Sequence, residues 1–385
     1  MKVFIGFVVV FLILGVTMLF NWNELGKAPR GDDLLRVKNS KHYNNTKGKF
    51  VNLEIHASTK DNKKGLDWQL MKDWFSPGID RVPLTNLPEQ KPDLKTFLQA
   101  SDKLQTIWLG HSTFLLNIEG SIVLVDPVFS SAASPIKSMV KRFQKPVLAL
   151  EELPAIDYIL ISHDHYDHLD MQSIMFFADK DVKFITPLGV GSHLKKWGVA
   201  SGKITEKDWW QTAEFDGVKF IATPAHHFSG RKGIDANSTL WASWVIQSQS
   251  HNVYFSGDSG YGNHFKDIGE KYGPFDVAFI ESGQYNEKWQ DVHMLPSEGV
   301  QAFKDLKAEK YFPIHWGMFE LALHTWYDPI EQLHALSKSE MFELLTPKLG
   351  QLVNIAQPEL SELWWQQSIL TSQVKWHDTK AVVVN

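Results

Sequence analysis

Residues 162–170 read Ser-His-Asp-His-Tyr-Asp-His-Leu-Asp, so His163, Asp164, His165, Asp167, His168 and Asp170 crowd into eight consecutive positions. Ionisable side chains at that density cannot all enter a core unpaired, and a bound cation gives them a common partner. The chain contains no cysteine, which removes thiolate ligands, thiolate nucleophiles, iron–sulfur clusters and disulfides. Imidazole and carboxylate remain, and zinc accepts both. Oxygen- and nitrogen-only donors also admit iron or manganese. The alternate spacing of His163 and His165 lets both rings converge on one ion, while Asp167 and His168 turn toward a neighbouring one.

Further donors follow at the ends of apolar runs. Thr-Pro-Ala-His-His-Phe carries His226 and His227, Gly-Asp-Ser-Gly carries Asp258, and Pro-Ile-His-Trp-Gly carries His315. Singly these read as a loop pair, a turn residue and a packed histidine; their order and placement behind the first cluster favour ligands. His293 stands just before Pro296 and Ser297, which mark a helix start. Taken alone it reads as a surface-loop histidine lying between Asp258 and His315 in sequence. His111 reads as a buried, hydrogen-bonded support. Asp126, Asp164 and Asp170 are candidates for orienting the imidazoles, or equally for capping turns and helices.

A rigid frame must hold such loops at strand ends. Short apolar runs at 105–109, 113–118, 122–125, 158–161, 182–186, 218–223, 240–247, 253–256, 277–280 and 311–314 read as strands, with Glu119-Gly120 as a hairpin turn. Helical patterns occupy 171–178, 190–197, 263–272, 297–307 and 329–337. A strand-rich stretch followed by helix–strand alternation occurs twice, which predicts an α/β protein of two packed sheets with helices outside.

With 39 basic against 44 acidic residues the net charge is −5, too near balance to give a nucleic-acid footprint. Residues 3–23 carry no charge. At about 1.5 Å per residue they span roughly 30 Å as a helix, the thickness of a bilayer core. This predicts a transmembrane anchor over residues 1–23, with a cleaved signal peptide as the competing reading. Residues 24–103 read as a linker and N-terminal extension, part of it packed through Trp68, Trp74 and Phe75, and residues 104–385 as the main domain. Tryptophan, at 15 residues, outnumbers Met and Tyr at nine each; Trp209, Trp210, Trp241, Trp244, Trp364 and Trp365 are expected mainly in the core, with a lipid-facing rim as the alternative.

The motif His-x-His-x-Asp-His, here His163, His165, Asp167 and His168, resembles the signature of the metallo-β-lactamase superfamily. Together with Trp108–Thr113, Val125-Asp126-Pro127, Thr223–Phe228, Gly257–Tyr261 and Pro313–Gly317, the chain most resembles the phospholipase D family that hydrolyses N-acylphosphatidylethanolamine, and its bacterial relatives. The resemblance implies a four-layer αββα sandwich and two Zn2+ per chain. It implies that His163, His165 and His227 hold one ion, that Asp167, His168 and His315 hold the other, and that Asp258 bridges them. It places His293 at the edge of the site, and puts Asp167, Asp258 and His293 in the catalytic set. The expected partners are a phospholipid substrate, the membrane and, by the same resemblance, a second copy in a homodimer. The expected location is a membrane-anchored catalytic domain at the bilayer surface. Other reactions on this fold, on a lactone, thioester or cyclic phosphodiester, and a metal-stabilised envelope protein without turnover are the alternatives.

Overall fold

The computed structural model describes residues 22–53, 72–74, 76, 78, 80–99, 102–359 and 363–370. The anchor expected over residues 1–23 lies almost wholly outside them, as do Trp68 and Phe75. Among the described residues no helix is long and apolar enough to cross a membrane.

The described chain runs α1 (Asp32–Lys38), β1 (Tyr43–Asn44), β2 (Lys49–Phe50), α2 (Leu94–Gln99), β3 (Leu104–Gly110), β4 (Thr113–Ile118), β5 (Ser121–Val125), β6 (Tyr158–Leu160), α3 (Met171–Phe177), β7 (Lys183–Pro187), α4 (Gly191–Lys196), β8 (Ile204–Lys207) and β9 (Thr212–Phe215). It continues through β10 (Val218–Thr223), β11 (Ser243–Gln247), β12 (Asn252–Phe255), α5 (His264–Tyr272), β13 (Val277–Glu281), α6 (Pro296–Asp305), β14 (Lys310–Ile314), α7 (Asp328–Glu340), β15 (Glu343–Leu344) and β16 (Leu352–Asn354). Two seven-stranded sheets result, ordered β16-β3-β4-β5-β6-β7-β8 and β15-β14-β13-β12-β11-β10-β9. Each begins as an antiparallel meander and turns parallel, at β5–β6 in the first and β12–β13 in the second, which realises the twofold repetition of the sequence pattern.

Both faces of the central strands are covered, so their sequences are nearly continuous apolar runs. Between the sheets Phe114 stacks on Phe279 at 4.2 Å and meets Phe255 edge-on at 5.6 Å. The Trp244 indole N–H crosses from the second sheet to the Ile161 carbonyl of the first at 3.0 Å. On the outer side of the first sheet Ile107, Leu115, Leu124 and Ile159 pack with Ile174 and Phe177 of α3 and Leu194 of α4. On the other, Tyr254, Ala278 and Tyr311 pack with Phe265, Phe303 and Leu333 of α5, α6 and α7. The layers are therefore helix, sheet, sheet, helix.

The described residues of the segment read as linker and N-terminal extension pack in part on this body. Leu25, Val37, Phe50, Leu87 and Phe97 are all buried, spaced too widely to show periodicity; Val37, Phe50 and Leu87 join the main core and Phe97 the cluster outside the first sheet. Of the tryptophans considered for a lipid-facing rim, Trp209, Trp241, Trp244, Trp364 and Trp365 are buried. Trp108, Trp316 and Trp364 stack at successive centroid distances of 5.4 Å.

Candidate metal centre

The loop after β6 is gathered by one carboxylate. Asp126, just beyond β5 and in the left-handed region at φ 37°, accepts the Ser162 amide at 2.7 Å, the Ser162 hydroxyl at 2.5 Å and the His168 Nδ1–H at 2.7 Å. It thus ties together both ends of the 162–168 loop, while the His168 and Leu169 amides turn back to the His165 carbonyl. Two more residues of the site, His111 and His315, have positive φ of 54° and 65°. Such backbone costs of order 1–3 kcal/mol per residue and persists where surroundings over-determine it. At Gly257, φ 56°, a Cβ would lie 2.8 Å from that of Ser162, so glycine permits the close approach that delivers Asp258.

All seven expected ligand residues come together. His165 Nδ1 lies 2.8 Å from His163 Nε2 and 3.2 Å from His227 Nε2. Asp258 Oδ2 stands 3.7 and 3.6 Å from the same two Nε2 atoms. On the other side, Asp258 Oδ1 is 3.1 Å from His168 Nε2, and Asp258 Oδ2 is 3.2 Å from His315 Nε2. Asp167 Oδ2 approaches His168 at 3.4 Å and His315 at 3.2 Å. His226 turns away, with Nδ1 2.6 Å from the Asp291 carbonyl.

The ring nitrogens report what the cluster is built to hold. His168 Nδ1–H is committed to Asp126, His227 Nδ1–H donates to the Val292 carbonyl at 3.1 Å, and His163 Nδ1 faces the Ser162 hydroxyl at 2.9 Å. Since the Ser162 hydroxyl donates to Asp126, it accepts from His163. Each of these rings has its Nδ1 proton outside and its Nε2 turned inward, the arrangement of metal-binding imidazoles. The inner group of His163, His165 and His227 nitrogens holds more lone pairs than protons can pair, and His168 Nε2 and Asp258 Oδ1 are buried without a hydrogen bond. Donors of His163, His165, His227 and Asp258 lie within 4.8 Å of one another, as do those of His111, Asp167, His168 and His315. The donor set fits two small divalent cations.

Burial drives His163 and His227 well below the usual imidazole value and lowers His165. Burial alone would raise Asp167 and Asp258, but His168 and His315 hold both well below the carboxylate range. The same contacts reverse the effect of burial on His168, which is raised well above its ordinary value, and push His315 up to about 10.

The supporting residues divide. His111 Nε2–H donates to Asp167 Oδ2 over 2.9 Å, and burial with the nearby His315 lowers His111 to about 3. Asp126 orients His168, as expected. Asp164 instead pairs with His193 at 3.2 Å, Thr239 at 2.7 Å and the Gly230 amide at 2.8 Å. Asp170 caps α3 and accepts the Phe129 and Ser130 amides. These two serve loops and helix ends because neither reaches an imidazole of the cluster. Glu281 was not among the expected residues. It is buried at the end of β13, accepts His293 Nδ1–H at 2.7 Å and the Met294 amide at 2.7 Å, and lies 3.6 Å from His315 Nδ1. The only sequence signal for it is a lone acid closing the apolar run 277–280.

Above the cluster opens a cleft of about 460 Å³. His165, Asp167, Asp258, His293 and His315 form its floor, and Trp74, Phe228, Trp289, Val292 and Leu321 its apolar walls.

A family model described as the β-lactamase superfamily domain matches residues 122–316, the stretch that supplies every expected ligand. The chain belongs to the metallo-β-lactamase superfamily. An uncharacterised protein of Mycobacterium tuberculosis is 37% identical over 86% of this chain and 90% of its own length. An N-acyl-phosphatidylethanolamine-hydrolyzing phospholipase D of Caenorhabditis elegans is 34% identical over 68% of this chain and 77% of its own. Among solved structures, an isothiocyanate hydrolase from Delia radicum gut bacteria superposes with a TM-score of 0.52 at 16% identity, over 65% of this chain and 98% of that one, a likeness of fold. As a superfamily member with this donor set, the chain is a metal-dependent hydrolase.

Proposed function

We propose that this protein is a binuclear zinc phosphodiesterase of phospholipase D type whose substrate is N-acylphosphatidylethanolamine or a closely related phospholipid. The observation that carries the reading is Asp258, standing between two groups of donors at the floor of an open cleft with apolar walls. His163, His165 and His227 would hold one ion, Asp167, His168 and His315 the other, with Asp258 shared. Zinc held at these positions would supply positive charge opposite a phosphodiester anion and would make water reactive near neutral pH. The similarity to the worm phospholipase supports the lipid substrate.

The chain's own groups would do the rest. Trp74, Phe228 and Trp289 line the cleft with surface suited to acyl chains. Glu281 holds His293 by Nδ1, which leaves Nε2 as the ring's free position at the cleft. As water attacks phosphorus and the bond to the ethanolamine oxygen breaks, a proton carried on His293 Nε2 would pass to that oxygen, and the proton given up by the attacking water would replace it. The products are phosphatidic acid and an N-acylethanolamine. Residues 1–23 would tether the body formed by residues 24–385 at the bilayer where this substrate is concentrated.

The test is a substrate panel given to the zinc-loaded full chain in mixed micelles and read by mass spectrometry. N-acylated and plain phospholipids, a lactone and a thioester would be compared. Release of N-acylethanolamine is expected; cleavage of the lactone or thioester with every phospholipid intact would sink the proposal.

A further inference from the structure

His227 has no strand to hold it. It lies four residues past the end of β10 (Val218–Thr223), in a loop whose neighbouring residue His226 points elsewhere. Its backbone is instead gripped by a side chain from the opposite end of the sequence. Asn52 Oδ1 accepts the His227 amide at 3.1 Å, and Asn52 Nδ2 donates to the His227 carbonyl at 3.0 Å. The Trp241 indole N–H also donates to Asn52 Oδ1 at 3.1 Å, which fixes which end of the amide faces which partner.

Asn52 is itself rigidly delivered. It follows β2 by two residues, and Phe50 there is fully buried, sits edge-on to Tyr43 at 5.2 Å, and donates its amide to the Asn237 carbonyl at 2.9 Å. The Val51 amide reaches the His42 carbonyl at 3.2 Å, and His42 pairs with Asp208 at 2.8 Å. The hairpin thus places the carboxamide, and the carboxamide places the His227 peptide. With the ring's Nδ1 on the Val292 carbonyl, His227 is held at three points, and all three must agree for Nε2 to face His163 and His165.

We infer that Asn52, in the N-terminal extension and outside the matched residues 122–316, is a positioning residue that sets the His227 backbone and thereby the affinity of the ion site formed by His163, His165, His227 and Asp258. The inference rests on the proposed reading of His227 as a ligand. Only an asparagine-like amide meets both His227 backbone groups at once. Aspartate keeps the acceptor but sets an oxygen against the carbonyl, and leucine of similar volume offers neither.

Metal-free full-length protein would be titrated with Zn2+ alone against a chromogenic chelator, for the wild type, Asn52→Leu, Asn52→Asp and, as control, Asn45→Ala. Asn45 lies in the same extension, its exposed side chain donating to the Lys38 carbonyl, and its variant is expected to match wild type. Asn52→Leu is expected to weaken one of two zinc constants by about 10–100-fold and leave the other unchanged; Asn52→Asp should show a smaller loss at the same site. General loss of structure would weaken both constants together, so the ratio between them separates positioning from folding. Equal losses at both sites, or none, in the Asp variant overturns the inference, including where the Leu variant does not fold. A wild type that takes up fewer than two zinc ions overturns the binuclear reading and the inference with it; two ions with indifferent variants overturns the inference alone.

Discussion

Three imidazoles of the cluster present Nε2 inward because an acceptor outside claims Nδ1: Ser162 for His163, Asp126 for His168 and the Val292 carbonyl for His227. The inward donors could be read from the sequence, since a dense run of His and Asp after an apolar strand has few other uses. Of their outer partners only Asp126 could, because a backbone carbonyl or a serine carries no chemical signature and becomes meaningful only when the loops meet. Asn52 was invisible for that reason, and Glu281 left no more than a lone acid closing an apolar run. Two predictions belong here. Asp258→Ala removes the one carboxylate common to both groups of donors, so turnover should fall by more than about 100-fold, beyond the loss typical of an outer partner, while circular dichroism stays native. A variant retaining full activity would remove Asp258 from its shared place. The second concerns protons. In the ion-free protein, neighbouring carboxylates raise His168 well above its ordinary value and push His315 up to about 10, so His315 is protonated at pH 7.5. Coordination requires neutral imidazole, and zinc uptake at that pH should therefore release at least about one proton per chain. Calorimetric titration in buffers of different ionisation enthalpy counts them; release near zero would contradict the protonated pairs.

At the scale of elements, what the sequence revealed and what it hid follow one physical rule. The ten strands legible as apolar runs are all interior to their sheets, where helices and the facing sheet cover both sides. Of the six that escaped notice, β1 and β2 form a small two-stranded sheet of their own, and β8, β9, β15 and β16 are the outermost strands of the two large sheets. Their sequences, such as Ile-Thr-Glu-Lys in β8 and Thr-Ala-Glu-Phe in β9, are short and half polar, as exposed edges tend to be. The strand expected over 240–247 begins only at Ser243. Leu240 and Ala242 instead give their amides to the Leu188 and Ser162 carbonyls of the other sheet's loops, so a second sheet captures a segment whose pattern suits either. Asp170 shows how helix and loop share one residue. It caps α3 through the Gln172 and Ser173 amides and receives the Phe129 and Ser130 amides from the loop after β5. Asp170→Ala should destabilise the fold by at least about 1 kcal/mol from the cap, with about 1–3 kcal/mol more for each buried donor left unpaired. Urea unfolding would measure it, and a midpoint equal to wild type would show that water replaces the carboxylate without loss.

Across the whole molecule the donors are divided between the two sheets. His111, Asp126 and the 163–168 loop stand at strand ends of the first sheet, and Asp258, Glu281 and His315 at strand ends of the second, with His227 in the loop that follows β10. Cations between them would join the two halves at that edge as the Phe114–Phe279 and Trp244–Ile161 contacts join them inside. Because such ions bind the folded chain and lose their site on unfolding, each adds RT ln(1 + [Zn]/Kd), about 2.7 kcal/mol at a hundredfold excess over Kd. Chelation should therefore lower Tm, and zinc should restore it. The pH dependence has a definite sign. His168 and His315 lie above their unfolded value of 6.5 in the ion-free state. The stability they contribute is complete below pH 6.5 and is lost as pH rises, through about 10 for His315. Zinc meets the opposite trend, since fewer protons compete for the imidazoles as pH rises. The gap in Tm between zinc-loaded and chelated protein should consequently widen from pH 7 to pH 9.5. Scanning calorimetry on both forms across that range tests it: a gap that stays constant or narrows would mean that cations and protons do not share these rings, and that the two sheets are held at this edge by something other than the cluster.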